Sequence, residues 1–531
     1  MIQNDFADLK FDLQCAIISS KIRREAFMRA SLPKKKERRN SMGVLAKWRE
    51  NCAPIGYLAS FLKTPWYPAL FAVLCVISGT HNCSVYIPIL WILTAFVLFS
   101  ALFADDNKVF LTPLLMMFYA LGQDADPEAF LKSNGDMLSL IDGNALVEVI
   151  IICTICVTAL VARLVADGSL AAVFKKKRHF LWGIILLDAA FLANGLFSQA
   201  YDIKNLGIGA FFAAGFTVVY IIAVGILEKS ENCIVYACYA MLATAYSAFL
   251  QMLTLVIRLA VKGDYFILFK SQGEIVVNRN EFTLGWGVAT LIAMVFILGI
   301  PAALYLAKDR KYSLFTFCSA ILFVLGTALI NVRSAMVVGV LSFIVLTVFC
   351  CFKGNNRKLI RIYLLCCVSA AIVLLILVDR FLIPISSLFE KLLSLLRFSL
   401  DVDSGRVKLW ANGISDFLSS PALGVGFLDG GVEDAAKMNN FFSNMYHCIL
   451  IEIPGAMGIF GCFAFVLHIA QLIVLCIKRF CVDKLLLLFI PLMILGASLV
   501  DNFFFCLNCQ IFYCVFLAVA EKYNNSTDDL T

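Results

Sequence analysis

Charge is what this chain has least of. Asp, Glu, Lys and Arg make up 15% of its 531 residues, and 61% are hydrophobic. A soluble protein is about a quarter charged, so the shortage excludes an ordinary globular domain. Alternation of apolar and polar residues is missing too. The apolar stretches are solid runs of about 20 residues, long enough to cross a hydrocarbon core, which favours helices strongly over a β-barrel. The 20 Cys show no metal-ligand spacing and no disulfide framework. They lie mostly inside apolar runs (Cys153, Cys156, Cys350, Cys351, Cys366, Cys367) and read as small apolar helix residues. The charges of the first 64 residues are not followed by the apolar core of a signal peptide. No internal repeat is visible, and no Gly/Pro-broken segments match between the two halves, which weighs against a secondary transporter.

What is present is a polytopic all-α membrane protein. About 14 apolar cores are read, with about 12 as the alternative count. They run at 65–80, 85–104, 108–122, 145–166, 180–201, 206–227, 233–259, 282–306, 313–331, 334–352, 362–378, 450–477, 485–500 and 503–520. Residues 1–64 form a basic N-terminal segment with KIRR at 21–24 and KKKERR at 34–39. Phe6, Leu9, Leu13 and Ile17 in it fall at helical spacing, as in a helix lying on a membrane surface, but a cytoplasmic tail that fixes orientation is the preferred reading. Spans fill 65–378, a large loop covers 379–449, further spans fill 450–520, and 521–531 is a tail. Basic clusters at 175–178, 308–311, 353–361 and 478–479 all fall on one side. Roughly 30 of the 44 Lys and Arg do so, which sets both termini in the cytoplasm by the positive-inside rule. The net charge of +7 is then a matter of topology, and no nucleic-acid partner is implied.

The loops at 123–144, 260–281 and 379–449 therefore face out, with the turn Asn331-Val332-Arg333-Ser334. Basic residues are sparse on that side, so the ones present carry information: Arg279, Arg333, Arg380, Arg397, Arg406 and Lys408. Arg380 and Arg397 fit snorkelling at helix ends. Ser404 reads as a helix N-cap after Asp403, with the helix running to about Leu418 before Pro421. Val407, Trp410, Ile414 and Phe417 give that helix one apolar face, which sets Trp410 at headgroup depth. Arg406 falls in its first turn. Gly424-Val425-Gly426 offers a path almost free of side chains, where a backbone can approach a ligand closely. His447 stands where the loop re-enters the membrane, and an imidazole there can take a proton from an attacking hydroxyl. His81 has no partner in sequence, His179 is on the basic side and His468 is in a span. Glu452 follows His447 but lies inside the next span. Asp401-Val402-Asp403 has the form of a metal-diphosphate motif, but nucleotide sugars are cytoplasmic, and helix-start acidic residues are the simpler reading. Asp105-Asp106 reads as a charged turn, and Asp188 as an intramembrane acid without an assigned role.

The stretch SGRVKLWANGISDFLSSPALGVGF, followed by YHCILIEIPGAMGIFG, resembles the signature of the O-antigen ligase and O-antigen polymerase superfamily. Its members show a G-R-x-x-x-W helix, a P-x-x-G-x-G segment, and a His followed by an acidic residue and glycines. NVRSAMVVGVLSF resembles the family's S-R turn between two spans, and the likeness covers roughly residues 280–480. Here His447 is followed by Cys448 rather than Asn, and Ser334 follows Arg333 rather than preceding it.

The resemblance implies metal-independent transfer of a glycan from an undecaprenyl-pyrophosphate donor to an acceptor hydroxyl, at the outer face of a bacterial cytoplasmic membrane. The acceptor is a glycan or glycolipid, no cofactor is implied, and a chain-length regulator or a flippase are candidate partners beside membrane lipids. Arg333 and Arg406 are then the pyrophosphate ligands, Arg279 a third, and His447 the general base or acceptor-orienting group. Polymerisation of surface polysaccharide and ligation of the chain onto another acceptor both fit. From a different class, a transporter or flippase of lipid-linked sugars predicts charges through the spans, and few are seen (Asp188, Arg163, Glu148). A structural scaffold predicts that Arg406 and His447 tolerate substitution.

Overall fold

The structure, a computed structural model, describes residues 52–80, 83–121, 143–197, 203–262, 289–308, 312–330, 332–353, 356–381, 406–427 and 446–528. The N-terminal surface helix, His81, Arg279, Arg397 and the segment from Asp401 to Ser404 lie outside these residues. Tyr57–Thr531 forms one compact unit. Every described element is helical, and each apolar run read from the sequence coincides with a helix.

In chain order the helices are α1 (Ala53–Leu62), α2 (Trp66–Thr80), α3 (Cys83–Phe103), α4 (Leu111–Leu121), α5 (Gly143–Ala166), α6 (Ser169–Lys175), α7 (Leu181–Phe197) and α8 (Ile203–Ala213). A five-residue π-turn, Ala214–Val218, joins α8 to α9 (Val219–Glu228). There follow α10 (Cys233–Lys262), α11 (Ala289–Leu306), α12 (Ser313–Leu329), α13 (Arg333–Lys353), α14 (Arg357–Phe381) and α15 (Arg406–Ser419). Last come α16 (Ile449–Ile477), α17 (Val482–Ala497) and α18 (Leu507–Asp528). Among the described residues, five stretches are long and apolar enough to cross a membrane, or six if the bent pair α1–α2 counts as one. Shorter apolar helices, among them Leu181–Phe197 and Ser313–Thr327, stand beside them.

Two helices are hydrophobic all round and therefore central. In α11 the residues from Ile292 to Leu306 are almost all buried, and in α18 those from Cys509 to Ala520. α10 packs between α11 and α2, while α12, α13 and α17 pack on α11. α18 packs on α9 and α17, and α7 joins α8 to α16. Where apolar helices meet without water to drive them together, small residues let the backbones approach. Gly299 of α11 is one: a Cβ there would lie 2.8 Å from both the Ala245 methyl and the Phe323 ring. Phe323 in turn stacks on Phe296 at 6.1 Å. Outward-facing positions stay apolar, as at Trp182 and Ile477, each 72% exposed, which suits contact with lipid.

The two ends of the bundle differ in chemistry. At one end the connecting turns are tied together by charge: Lys63 to Asp105 at 2.8 Å, Arg178 to Glu228 at 2.5 Å and Lys308 to Asp483 at 2.6 Å. Asp105-Asp106 belongs here as a structural turn, with Asp106 accepting from the Lys108 backbone at 3.0 Å. At the other end the turns meet through backbone and amide hydrogen bonds, and that end carries α15, His447 and the start of α13.

Gly299→Val should lower stability by about 1–3 kcal/mol, the usual range for overpacking. Gly207→Ala, where a Cβ meets nothing within 4 Å, should be neutral or slightly stabilising. Thermal unfolding of the two variants in one detergent checks both.

Candidate functional site

α15 begins at Arg406 and stops at Ser419, just before Pro421, as its sequence pattern predicts. It rests on α16 through its one fully buried residue, Gly413, where a Cβ would overlap the Ile451 side chain and lie 2.9 Å from the Tyr446 ring. Tyr446 fixes the other side by donating its hydroxyl to Asp416 Oδ2 at 2.5 Å. Val407, Ile414 and Leu418 are left 53%, 52% and 71% exposed, an apolar stripe turned away from the bundle. Trp410 and Phe417 are half-buried. This is the disposition of a helix lying in a membrane interface.

After α15 the chain turns through Pro421, and the irregular segment 421–427, termed the strand although it forms no β-ladder, runs beside α16. α16 is not continuous: Gly458 has φ 62° and ψ −160°, and Pro454 lies one turn before it. The break frees main-chain groups that the loop takes up. Val425 N–H donates to the Gly455 carbonyl and Gly426 N–H to the Ala456 carbonyl, both at 3.1 Å. Ile459 N–H returns to the Pro421 carbonyl at 2.8 Å, and Phe460 N–H to that of Ala422 at 3.3 Å. Two asparagines complete the pairing. Asn194 of α7 donates to the Leu423 carbonyl at 3.2 Å and to the Ala456 carbonyl, and Asn205 of α8 accepts from Phe427 N–H at 2.9 Å.

The glycines of this segment therefore serve a purpose other than the ligand approach expected of them. Gly424 has φ +74° and Gly426 φ +105°, a region that favours glycine. A Cβ on Gly424 would overlap the Ala456 backbone, and one on Gly458 would lie 2.5 Å from the Ala422 carbonyl carbon. The close approach is made to α16 itself. The main-chain N–H groups from Gly424 to Phe427 are all used within the protein.

His447 stands immediately before α16, in a left-handed backbone conformation with φ 54°. Its Nδ1 lies 3.1 Å from Asp501 Oδ1, and both side chains are partly exposed, at 32% and 26%. The turn carrying Asp501 is fixed by Ile449 N–H donating to the Ser498 carbonyl at 2.8 Å and Phe504 N–H donating to Ser498 Oγ at 2.9 Å. Burial alone would raise the Asp501 carboxyl. Against that act the hydrogen bonds from His447 and the Asn502 N–H, and the positive charges of His447 and Arg406, which together hold it below the ordinary carboxylate value. With Nδ1 bound to Asp501, Nε2 is the ring nitrogen left to accept a proton from a substrate.

Arg406 is thus near the His447–Asp501 pair, at the start of α15. Arg333 opens α13, and Val332 and Ala335 beside it line a small apolar cleft with Ala497, Val500 and Phe503, so the first turn of α13 lies against the Asp501 turn. Glu452 is fully buried and accepts from Tyr446 N–H at 2.8 Å, a structural role that holds the entry to α16. His468 is buried against the Tyr513 hydroxyl at 2.7 Å, and half-buried His179 meets the Gln471 carbonyl at 2.7 Å, both towards the end of α16 away from His447. No group of three or more metal-ligating side chains occurs among the described residues.

Sequence reasoning passed over Asp501, Asn194 and Asn205. Asp501 had a signal: it is the acidic residue in the turn between the last two apolar runs, on the same side as His447. The asparagines had none, because only the fold brings α7 and α8 to the loop.

Asp501→Asn should leave the fold intact and lower turnover about a hundredfold or more, the range for loss of acid–base assistance, in a transfer assay. Because folding depresses the Asp501 pKa, its contribution to stability is present above the unfolded value of about 3.9 and is lost as pH falls through the lower folded value. The Tm difference between wild type and Asp501→Asn should be constant from about pH 8 to 5 and shrink below about pH 4. Gly424→Ala should destabilise the loop end and abolish activity together, which limited proteolysis alongside the assay would reveal.

No curated protein matches the chain. Residues 318–466 match the family model described as O-Antigen ligase. That stretch contains the start of α13, α15, the paired strand and His447, while Asp501, Asn194 and Asn205 lie outside it. Through this segment the chain is similar to the O-antigen ligase family, which supports the resemblance to the O-antigen ligase and O-antigen polymerase superfamily.

Proposed function

We propose that this membrane glycosyltransferase moves a glycan from a polyprenyl-pyrophosphate donor, undecaprenyl pyrophosphate in a bacterial membrane, to an acceptor hydroxyl at the outer face. The observation that carries the reading is the His447–Asp501 pair, set beside Arg406 at the head of an interfacial helix. The acceptor hydroxyl loses its proton to His447 Nε2, and its oxygen forms the new bond to the anomeric carbon. The bond from that carbon to the pyrophosphate breaks, and the electron pair leaves with the phosphate. Asp501 orients the imidazole and stabilises the imidazolium. Charge grows on the pyrophosphate as the bond breaks, and Arg406 and Arg333 bind its oxygens most strongly at that stage. Arg279 is the third candidate cation, and Trp410 anchors α15 at headgroup depth.

In this reading no metal is required, because arginines supply the positive charge. The acceptor is a glycan or glycolipid, with polymerisation of repeat units favoured over ligation. The end bearing α15 faces out and the charge-tied end faces the cytoplasm, which agrees with the basic clusters at that end.

Purified protein given a polyprenyl-pyrophosphate-linked repeat unit in the presence of a chelator should produce a ladder on a gel. Label moving only onto an added glycolipid would make it a ligase, and lipid scrambling without transfer would favour the flippase reading. Arg406→Ala and Arg333→Ala should abolish transfer in folded, inserted protein, and His447→Ala should lower turnover more than donor binding. Wild-type activity in both arginine variants would overturn the assigned roles. A fluorescent protein fused after Thr531 should fluoresce, and alkaline phosphatase fused after Ser420 should be active. The reverse pattern would invert the orientation.

A further inference from the structure

One stretch at the charge-tied end holds positive charge that the protein does not offset. Lys63, Arg178 and Lys308 each meet a carboxylate there. In the turn from α13 to α14, Lys353, Arg357, Lys358 and Arg361 are exposed, and none of them meets a carboxylate among the described residues. Asp483, on the neighbouring α17, is taken by Lys308. Asn356 fixes the turn by donating its amide to the Lys308 carbonyl. Arg361 folds back on α13: its Nε donates to the Cys351 carbonyl at 2.9 Å, and its guanidinium lies 5.7 Å from the centre of the Phe352 ring. Lys353 Nζ lies 5.9 Å from the centre of the Phe480 ring, which packs edge-on against Phe349 at 6.2 Å. The end of α13 therefore meets the turn between α16 and α17, where exposed Lys478 and Arg479 precede Phe480.

Exposed cations are ordinarily left to water, but two of these lie over aromatic rings within cation–π range. Arg361 is held by its Nε bond and its ring contact, and its outer nitrogens form the fork that fits a phosphate bidentately. Next to the cations the surface is apolar. Ile344, Val348 and Phe352 follow one another at four-residue steps on one face of α13 and are exposed, as are Ile473 and Ile477 near the end of α16. Cations beside two apolar helix faces complement a molecule with an anionic head and hydrocarbon tails. A soluble anion would match the charge and leave the apolar faces unused. Basic residues at a membrane surface attract anionic lipids, and basic pockets between helices bind their head groups.

We infer that the surface made by the α13–α14 and α16–α17 turns binds an anionic phospholipid. Arg361 and Lys353 hold the headgroup phosphate, and the acyl chains lie along α13 and α16. Arg357, Lys358, Lys478 and Arg479 add the surrounding positive potential. The bound lipid bridges two turns that are distant in the chain. The inference needs only that this end lies at a bilayer surface, and it does not depend on the transferase reading.

The full chain in a neutral detergent is titrated with phosphatidylglycerol and, separately, with phosphatidylcholine, and bound lipid is read by native mass spectrometry. Phosphatidylglycerol should bind saturably, about tenfold or more tighter than phosphatidylcholine, and weaken with added salt. Lys353→Gln with Arg361→Gln should weaken phosphatidylglycerol binding about tenfold or more. Lys175→Gln with Lys177→Gln removes the same charge from exposed positions at the same end, and should leave binding within about twofold of wild type. If the Lys353/Arg361 double variant fails to fold, Arg357→Gln with Lys358→Gln carries the same test, with a loss of about fivefold expected. Equal binding of the two lipids, or a folded site variant that binds as wild type, would overturn the inference. So would an equal loss in the Lys175/Lys177 variant, which would make net charge the cause. Displacement of phosphatidylglycerol by inorganic phosphate would also overturn it, in favour of a site for a free anion.

Discussion

The loop end depends on one interruption. Residues in a bilayer must satisfy their own main-chain groups, and a helix does so without help. α16 gives up part of that self-sufficiency at Gly458, and the strand after Pro421 restores it with four backbone hydrogen bonds and two asparagines. A broken helix is tolerated at membrane depth where protein covers the break. The strand is thereby fixed to a transmembrane element instead of floating on a surface loop. α15, which precedes the strand, and His447, which precedes α16, inherit fixed positions from this crossing.

The same constraint explains the arrangement of charge. Carboxylates and cations at the other end pair with one another and hold turns in place. At the loop end Asp501 is matched by His447 and Arg406, and all three are partly open to the surroundings. Charge is stabilising architecture at one end, and at the other it is accessible to a substrate. A single helix, α16, connects the two settings, with His447 before its first turn and Lys478 after its last.

Much of the fold was legible because membrane helices announce themselves. Solid apolar runs and basic clusters on alternate turns depend only on local composition. α15 was legible as well, down to its end before Pro421, because helix stops and amphipathic spacing are local signals. Placing His447 beside Arg406 followed from topology. What could not be read is what depends on contact between distant segments. Asp501 is 54 residues from His447, and Asn194 is 229 residues from Leu423. Gly424 illustrates the limit: a glycine marks a close approach, but its sequence does not say whether a ligand or the protein's own backbone does the approaching.

The pairing of the strand with α16 also fixes an order of events during biogenesis. A chain emerging from the ribosome delivers α7 and α8, with both asparagines, long before the strand exists. The strand in turn emerges before residues 455–460 can receive it. Until α16 is made, Asn194 cannot join the carbonyls of Leu423 and Ala456, and the turn bearing Asp501, which the Ile449 N–H holds, comes later still. The loop end that carries His447 and Asp501 is therefore the last part of the molecule to mature. A nascent chain arrested before α16 would be threaded through the membrane and still lack the His447–Asp501 pair.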